Sequence, residues 1–98
     1  MKDRRDYDQA FALVRSAIHA WDPYRLIAEG SPLDEFDHEI AKIVALIPRC
    51  RSERDLAAAI SEVFSESFAP DTFPVDDCSK PARLALHGLV GARLWPTA

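Results

Sequence analysis

Ninety-eight residues, 48% of them hydrophobic, suffice for one folded domain that buries roughly 60 to 65% of the surface its unfolded chain exposes. The formal net charge of −4, from 12 Lys and Arg against 16 Asp and Glu, disfavours the phosphate attraction that dominates nucleic-acid affinity. No window reaches the ~20 apolar residues of a membrane span, so neither nucleic acid nor membrane is expected as a partner.

The chain opens on Met1, Lys2, Asp3, Arg4, Arg5 and Asp6, charges of both signs and not the apolar core of a signal peptide. From there the large apolar residues fall at Tyr7, Phe11, Val14, Ile18 and Trp21, in steps of four and three. That spacing makes one apolar face of a helix from about Asp6 to about Ala20, flanked by Ala10 and Ala17 and capped by Asp3 or Asp6. Trp21 belongs at its inner end, largely buried. Asp22 and Pro23 then end the helix, because proline lacks an amide hydrogen and restricts the residue before it. Leu26 and Ile27 are expected to tuck beneath this corner, ahead of Gly30.

Ser31 and Pro32 restart helical structure with a cap serine and a pre-set φ, and Asp34 completes a capping box. The stripe behind them is Phe36, Ile40, Ile43, Val44 and Ile47, and Pro48 stops it. Ser52 and Asp55 repeat the capping logic before a third stripe, Leu56, Ile60, Val63, Phe64 and Phe68, where Ala57, Ala58 and Ala59 raise helix propensity. Pro70 and Pro74 bracket a turn around Phe73. A fourth helix, capped by Asp76, Asp77 or Ser79, is expected through Pro81, Leu84, Leu86, Leu89, Val90 and Leu94. Its Gly88 and Gly91 each cost about 1 kcal/mol relative to Ala, a loss that close packing on another helix offsets. With no repeat and no alternating strand pattern, the expectation is an all-α single domain over residues 1–98. It is a bundle of about four helices with a structured Trp-Asp-Pro corner between the first two.

Trp21, Asp22 and Pro23, the nearby Leu26, the run Asp34, Glu35, Phe36 and Asp37, the spaced Ile40 and Ile43, and the helix from Ser52 to Phe68 resemble a widespread family of short bacterial proteins. That family is classified as a domain of unknown function, with a Trp-Asp-Pro turn followed by an Asp-Glu-Tyr-Asp segment as its hallmark. The resemblance covers about Tyr7 to Phe68. Arg25 stands where the family usually has glycine, and Phe36 where it usually has tyrosine. The resemblance implies a fold and brings no activity, cofactor or catalytic residue.

Nothing in the chain assembles a nucleophile with a base: there is no GxSxG elbow, and His87 reads as a helix residue between Leu86 and Gly88. No catalytic residue and no enzymatic activity are expected. Cys50 and Cys78 form no CxxC pair and read as small buried hydrophobes in a reducing cytoplasm, although Arg49 and Arg51 beside Cys50 would favour its thiolate. The sharpest chemical candidate is a metal or acid-base site at the corner, from His19, Asp22, Asp34, Asp37 and His38, where donors from a helix end and the next helix start converge. Their spacing matches no HExxH or EF-hand signature, so no metal or other cofactor is expected.

The remaining expectation is a surface for another protein. Exposed carboxylates at Asp34, Glu35, Asp37 and Glu39 would steer the domain onto a basic partner, as immunity proteins and antitoxins do. The same acids also complement the macrodipole at a helix start. A homodimer through an apolar patch of Leu94, Trp95 and Phe73 is the second binding expectation.

Overall fold

The computed structural model describes residues 4–22, 30, 36–67 and 73–95. The expected cap at Ser31 and Pro32, the residues Leu26 and Ile27 of the corner, Arg25, Phe68 and Pro70 lie outside them.

Helix α1 runs Arg4–Trp21, reaching slightly beyond the apolar stripe at both ends. Its C-terminus closes with an αL cap: Asp22 takes a φ of 43° and its amide donates to the Ile18 carbonyl at 2.8 Å. This is the single bond of the αL motif, and aspartate is among the few side chains that visit the region readily. Helix α2 is Asp37–Leu46. Phe36 occupies its N-cap position with no side-chain cap hydrogen bond. Phe36 is fully enclosed and packs its ring 5.7 Å from that of Phe64. At Pro48 the chain tightens into a 3-10 turn, Ile47–Arg49.

Helix α3, Glu53–Ser67, starts as expected. The Asp55 amide donates to Ser52 Oγ at 3.1 Å, and the Asp55 carboxylate accepts from the Arg51 amide at 2.9 Å. A 3-10 turn at Val75–Cys78 leads into α4, Ser79–Gly91. The Ser61 hydroxyl donates to the Phe73 carbonyl and ties this approach to α3.

Each helix packs on its sequence neighbours, and α4 closes the bundle by packing on α1. The radius of gyration, 12.5 Å, is that of a folded domain of this length. Val14, Ile18, Ile40, Ile43, Leu56, Ile60 and Leu89 fill the interior. At one end Phe64 meets Trp21 edge-on at 5.2 Å and Phe73 at 5.5 Å, with Trp21 and Phe73 themselves 5.8 Å apart. Trp21 lids this aromatic group and packs against the core, keeping part of its surface exposed. The fold is all-α, and no helix of the described residues is long and apolar enough to cross a membrane.

Two expectations about α4 divide. A Cβ on Gly88 would lie 2.9 Å from Leu13 Cδ2, so this glycine does permit close approach to α1, whereas a Cβ on Gly91 meets nothing within 4 Å. The buried face of α4 is Pro81, Ala82, Ala85 and Leu89, while Leu84 and Val90 point outward.

Candidate functional site

The acidic corner is where the sequence concentrates its candidate chemistry, at the end of α1 and the start of α2. Asp34 and Glu35 lie outside the described residues. Asp37, the first residue of α2, forms an ion pair with Arg15 of α1, Nε to Oδ1 3.3 Å, both side chains about one-third exposed. Glu39 is only 8% exposed, which removes it from the expected set of exposed carboxylates. It packs in the first turn of α2, where the helix N-terminus favours a carboxylate. Of the four residues expected to meet a partner, one is thus enclosed and one is engaged with an arginine of the same chain.

The metal candidates are dispersed by the same geometry. Asp22 is the αL cap of α1, and His38 is exposed on α2. His19 is half-buried in the last turn of α1, where a basic side chain suits the helix C-terminus. Its Nε2 is buried and has no hydrogen-bond partner among the described residues. With Phe11, Ala12, Arg15 and Ser16 it lines an open depression of about 340 Å³ along α1. Among the described residues, no three His, Cys, Asp or Glu side chains gather as a metal set. Sequence reading missed the Arg15–Asp37 pair; its one signal is that Arg15 stands one helical turn before His19, on the side of α1 that faces the corner.

Both cysteines are free and buried. Burial, with a smaller contribution from Asp55, pushes the Cys50 thiol above its ordinary value, opposite to the depression expected from Arg49 and Arg51. Those arginines are exposed and solvated, while the thiol faces inward and donates to the Leu46 carbonyl at 3.4 Å. Burial first and Asp77 second push the Cys78 thiol up to about 11. Neither is an activated nucleophile at neutral pH. His87 is exposed on α4.

The patch expected to pair two copies is not a patch. Phe73 is buried in the aromatic group, and Leu94 and Trp95 are half-buried against the core. They follow a Schellman turn in which the Leu94 amide donates to the Leu89 carbonyl at 2.8 Å and that of Arg93 to Val90 at 3.0 Å, with Arg93 at φ 60°.

The described carboxylates that face outward are Asp8, Asp76 and Asp77 and three on α3. Asp55, Glu62 and Glu66 are exposed and fall on one stripe of that helix, and neither Glu62 nor Glu66 forms an ion pair among the described residues.

Comparison with known proteins agrees with the resemblance seen in the sequence. The sequence model of DUF1871, a domain of unknown function, matches residues 13–88, and the chain belongs to that family. The match begins inside α1 and runs through most of α4, so the fourth helix is part of the family's domain. No curated protein and no solved structure matches the chain.

Proposed function

We propose that this DUF1871 protein is a protein-interaction module of a bacterial cytoplasm, with no catalysis of its own, that covers a basic surface on a partner as immunity proteins and antitoxins do. The observation that carries the reading is the pair Glu62 and Glu66. They stand four apart on the outside of α3, a like-charge spacing that costs a helix roughly 0.2 to 0.5 kcal/mol. A domain of net charge −4 that keeps this repulsion on an open face is suited to electrostatic steering onto a cationic surface. Asp55 extends the stripe, and Asp34 and Glu35 remain candidates to enlarge it. The corner residues Asp37 and Glu39 drop to supporting roles in the fold.

The test is affinity capture from the native host over a salt series, with wild-type protein and with Glu62→Lys combined with Glu66→Lys as baits. The wild type should retain a partner at low salt and release it steeply as salt rises, since exposed charges are screened over about 8 Å at physiological ionic strength. The double variant should retain little. A partner held equally by both baits at all salt concentrations would refute the reading.

A second reading is metal binding at the corner through His19, Asp22, Asp37 and His38. The buried Nε2 of His19, without a hydrogen-bond partner among the described residues, is the observation that favours it.

A further inference from the structure

All 16 Asp and Glu residues of the chain precede Ser79, so α4 carries none. Its outer face shows Lys80, Arg83, Leu84, His87, Val90 and Gly91, and the two large apolar side chains there are 44% and 54% exposed at Leu84 and Val90. The helix buries Pro81, Ala82, Ala85 and Leu89 on its inner face and keeps two further branched apolar residues on the outside. Leu84 and Val90 are about 9 Å apart along the axis, and the space at Gly91 beside them is open. Arg83 reaches back to Glu53 of α3 at 3.5 Å; Lys80 and Arg93 stand exposed at the two ends of the face.

We infer that the outer face of α4 is a second docking surface, one that takes an acidic amphipathic helix of another protein. Such a helix sets its apolar side chains on Leu84 and Val90, places one in the open space at Gly91, and brings carboxylates to Lys80, His87 and Arg93. Charge decides against the other occupants. Two copies joined α4 to α4 would oppose Lys80, Arg83 and Arg93 with basic residues only, and like charges across an interface are costly. A nucleic acid would leave Leu84 and Val90 against phosphates, in a protein whose net charge repels them. At 13 residues α4 is about 20 Å long, which limits the buried area to that of a transient contact and the affinity to the micromolar range. This surface differs in sign and position from the α3 stripe, so it stands or falls independently of the proposal above.

The test is a titration of the ¹⁵N-labelled full chain, followed by amide NMR. The probe is a synthetic amphipathic peptide of about 18 residues with Leu on one face and Glu on its flanks. Three comparison probes are a scrambled peptide of the same composition, the peptide with Lys for Glu, and duplex DNA. The acidic amphipathic peptide should shift the amides around Leu84, His87 and Val90 saturably. Leu84→Ser, or Lys80→Glu combined with Arg93→Glu, should weaken that binding about tenfold while leaving the thermal midpoint nearly unchanged, since these side chains are exposed. Absence of shifts, shifts centred elsewhere, or equal binding of the scrambled or basic peptide would overturn the inference. Tighter binding of DNA at the same residues would overturn it in favour of a nucleic acid, and concentration-dependent shifts there without any probe would do so in favour of a second copy.

Discussion

Trp21 illustrates how a single side chain joins sequence to architecture. It ends the α1 stripe, precedes the αL residue Asp22, and lies edge-on against Phe64 and Phe73, so it fastens α1 to α3 and to the segment leading into α4. Trp21→Ala should cost about 3 kcal/mol, the low end for large aromatics, because part of the residue's surface stays exposed. In a Trp95→Phe background its emission should be blue-shifted and partly protected from quencher. A denaturation midpoint unchanged by the truncation would refute this role. Cys78 makes a different prediction. Its thiol is fully enclosed and raised from an ordinary 9.0 to about 11, so the folded state holds a proton that the unfolded chain releases first. The stability linked to this group is present in full below pH 9.0 and is lost as pH rises toward about 11. Cys78→Ala should flatten that part of the stability curve, measured by urea denaturation at several pH values. The identity of both cysteines as buried residues was legible in the sequence; the direction of the Cys50 shift was not, because chain neighbours say nothing about which way a side chain faces.

At the scale of elements, the caps and stoppers were legible where the signal is local. Ser52 and Asp55 form the expected cap of α3, and Pro48 ends α2 by tightening it into a 3-10 turn. Ser52→Ala should cost about 1 kcal/mol in a thermal or urea melt. Apolar stripes were legible in period but not in which members are enclosed. In α1 the flanking Ala10 and Ala17 are buried while Tyr7 is 38% exposed, and in α4 Ala82 and Ala85 displace Leu84 and Val90. One contributor is helix proximity: at Gly88 α4 comes so close to Leu13 of α1 that a Cβ would crowd it, and distance between helices is not written in either stripe. The prediction is a coupling. Gly88→Ala alone should be nearly neutral, its gain of about 1 kcal/mol in helix propensity offset by displacement of Leu13. In a Leu13→Ala background the same change should stabilise by most of that 1 kcal/mol. Equal effects in the two backgrounds would show that the contact is unimportant.

For the molecule as a whole, the four-helix all-α architecture follows from patterns that reinforce one another: apolar period, capping residues and prolines all divide the chain at the same places. The acidic character of the chain was equally plain, but its placement was not. Glu39 reads as surface in the sequence and is enclosed in the first turn of α2. Asp37 reads as a ligand or steering charge and instead meets Arg15 across the α1–α2 seam, an exposed pair worth about 1 kcal/mol or less. The corner is thus a joint, while Glu62 and Glu66 on α3 and Leu84 and Val90 on α4 face outward.

The central claim is that this corner holds the fold together and that binding takes place on the outer faces. Calorimetric titration of the wild-type chain with zinc, manganese and magnesium, repeated on His19→Ala, tests it most directly. The account predicts no saturable heat from any of the three ions, because Asp37 is paired with Arg15 and no three donor side chains gather among the described residues. Micromolar binding by the wild type that disappears in His19→Ala would contradict it, since coordination depends on particular ligands and not on net charge.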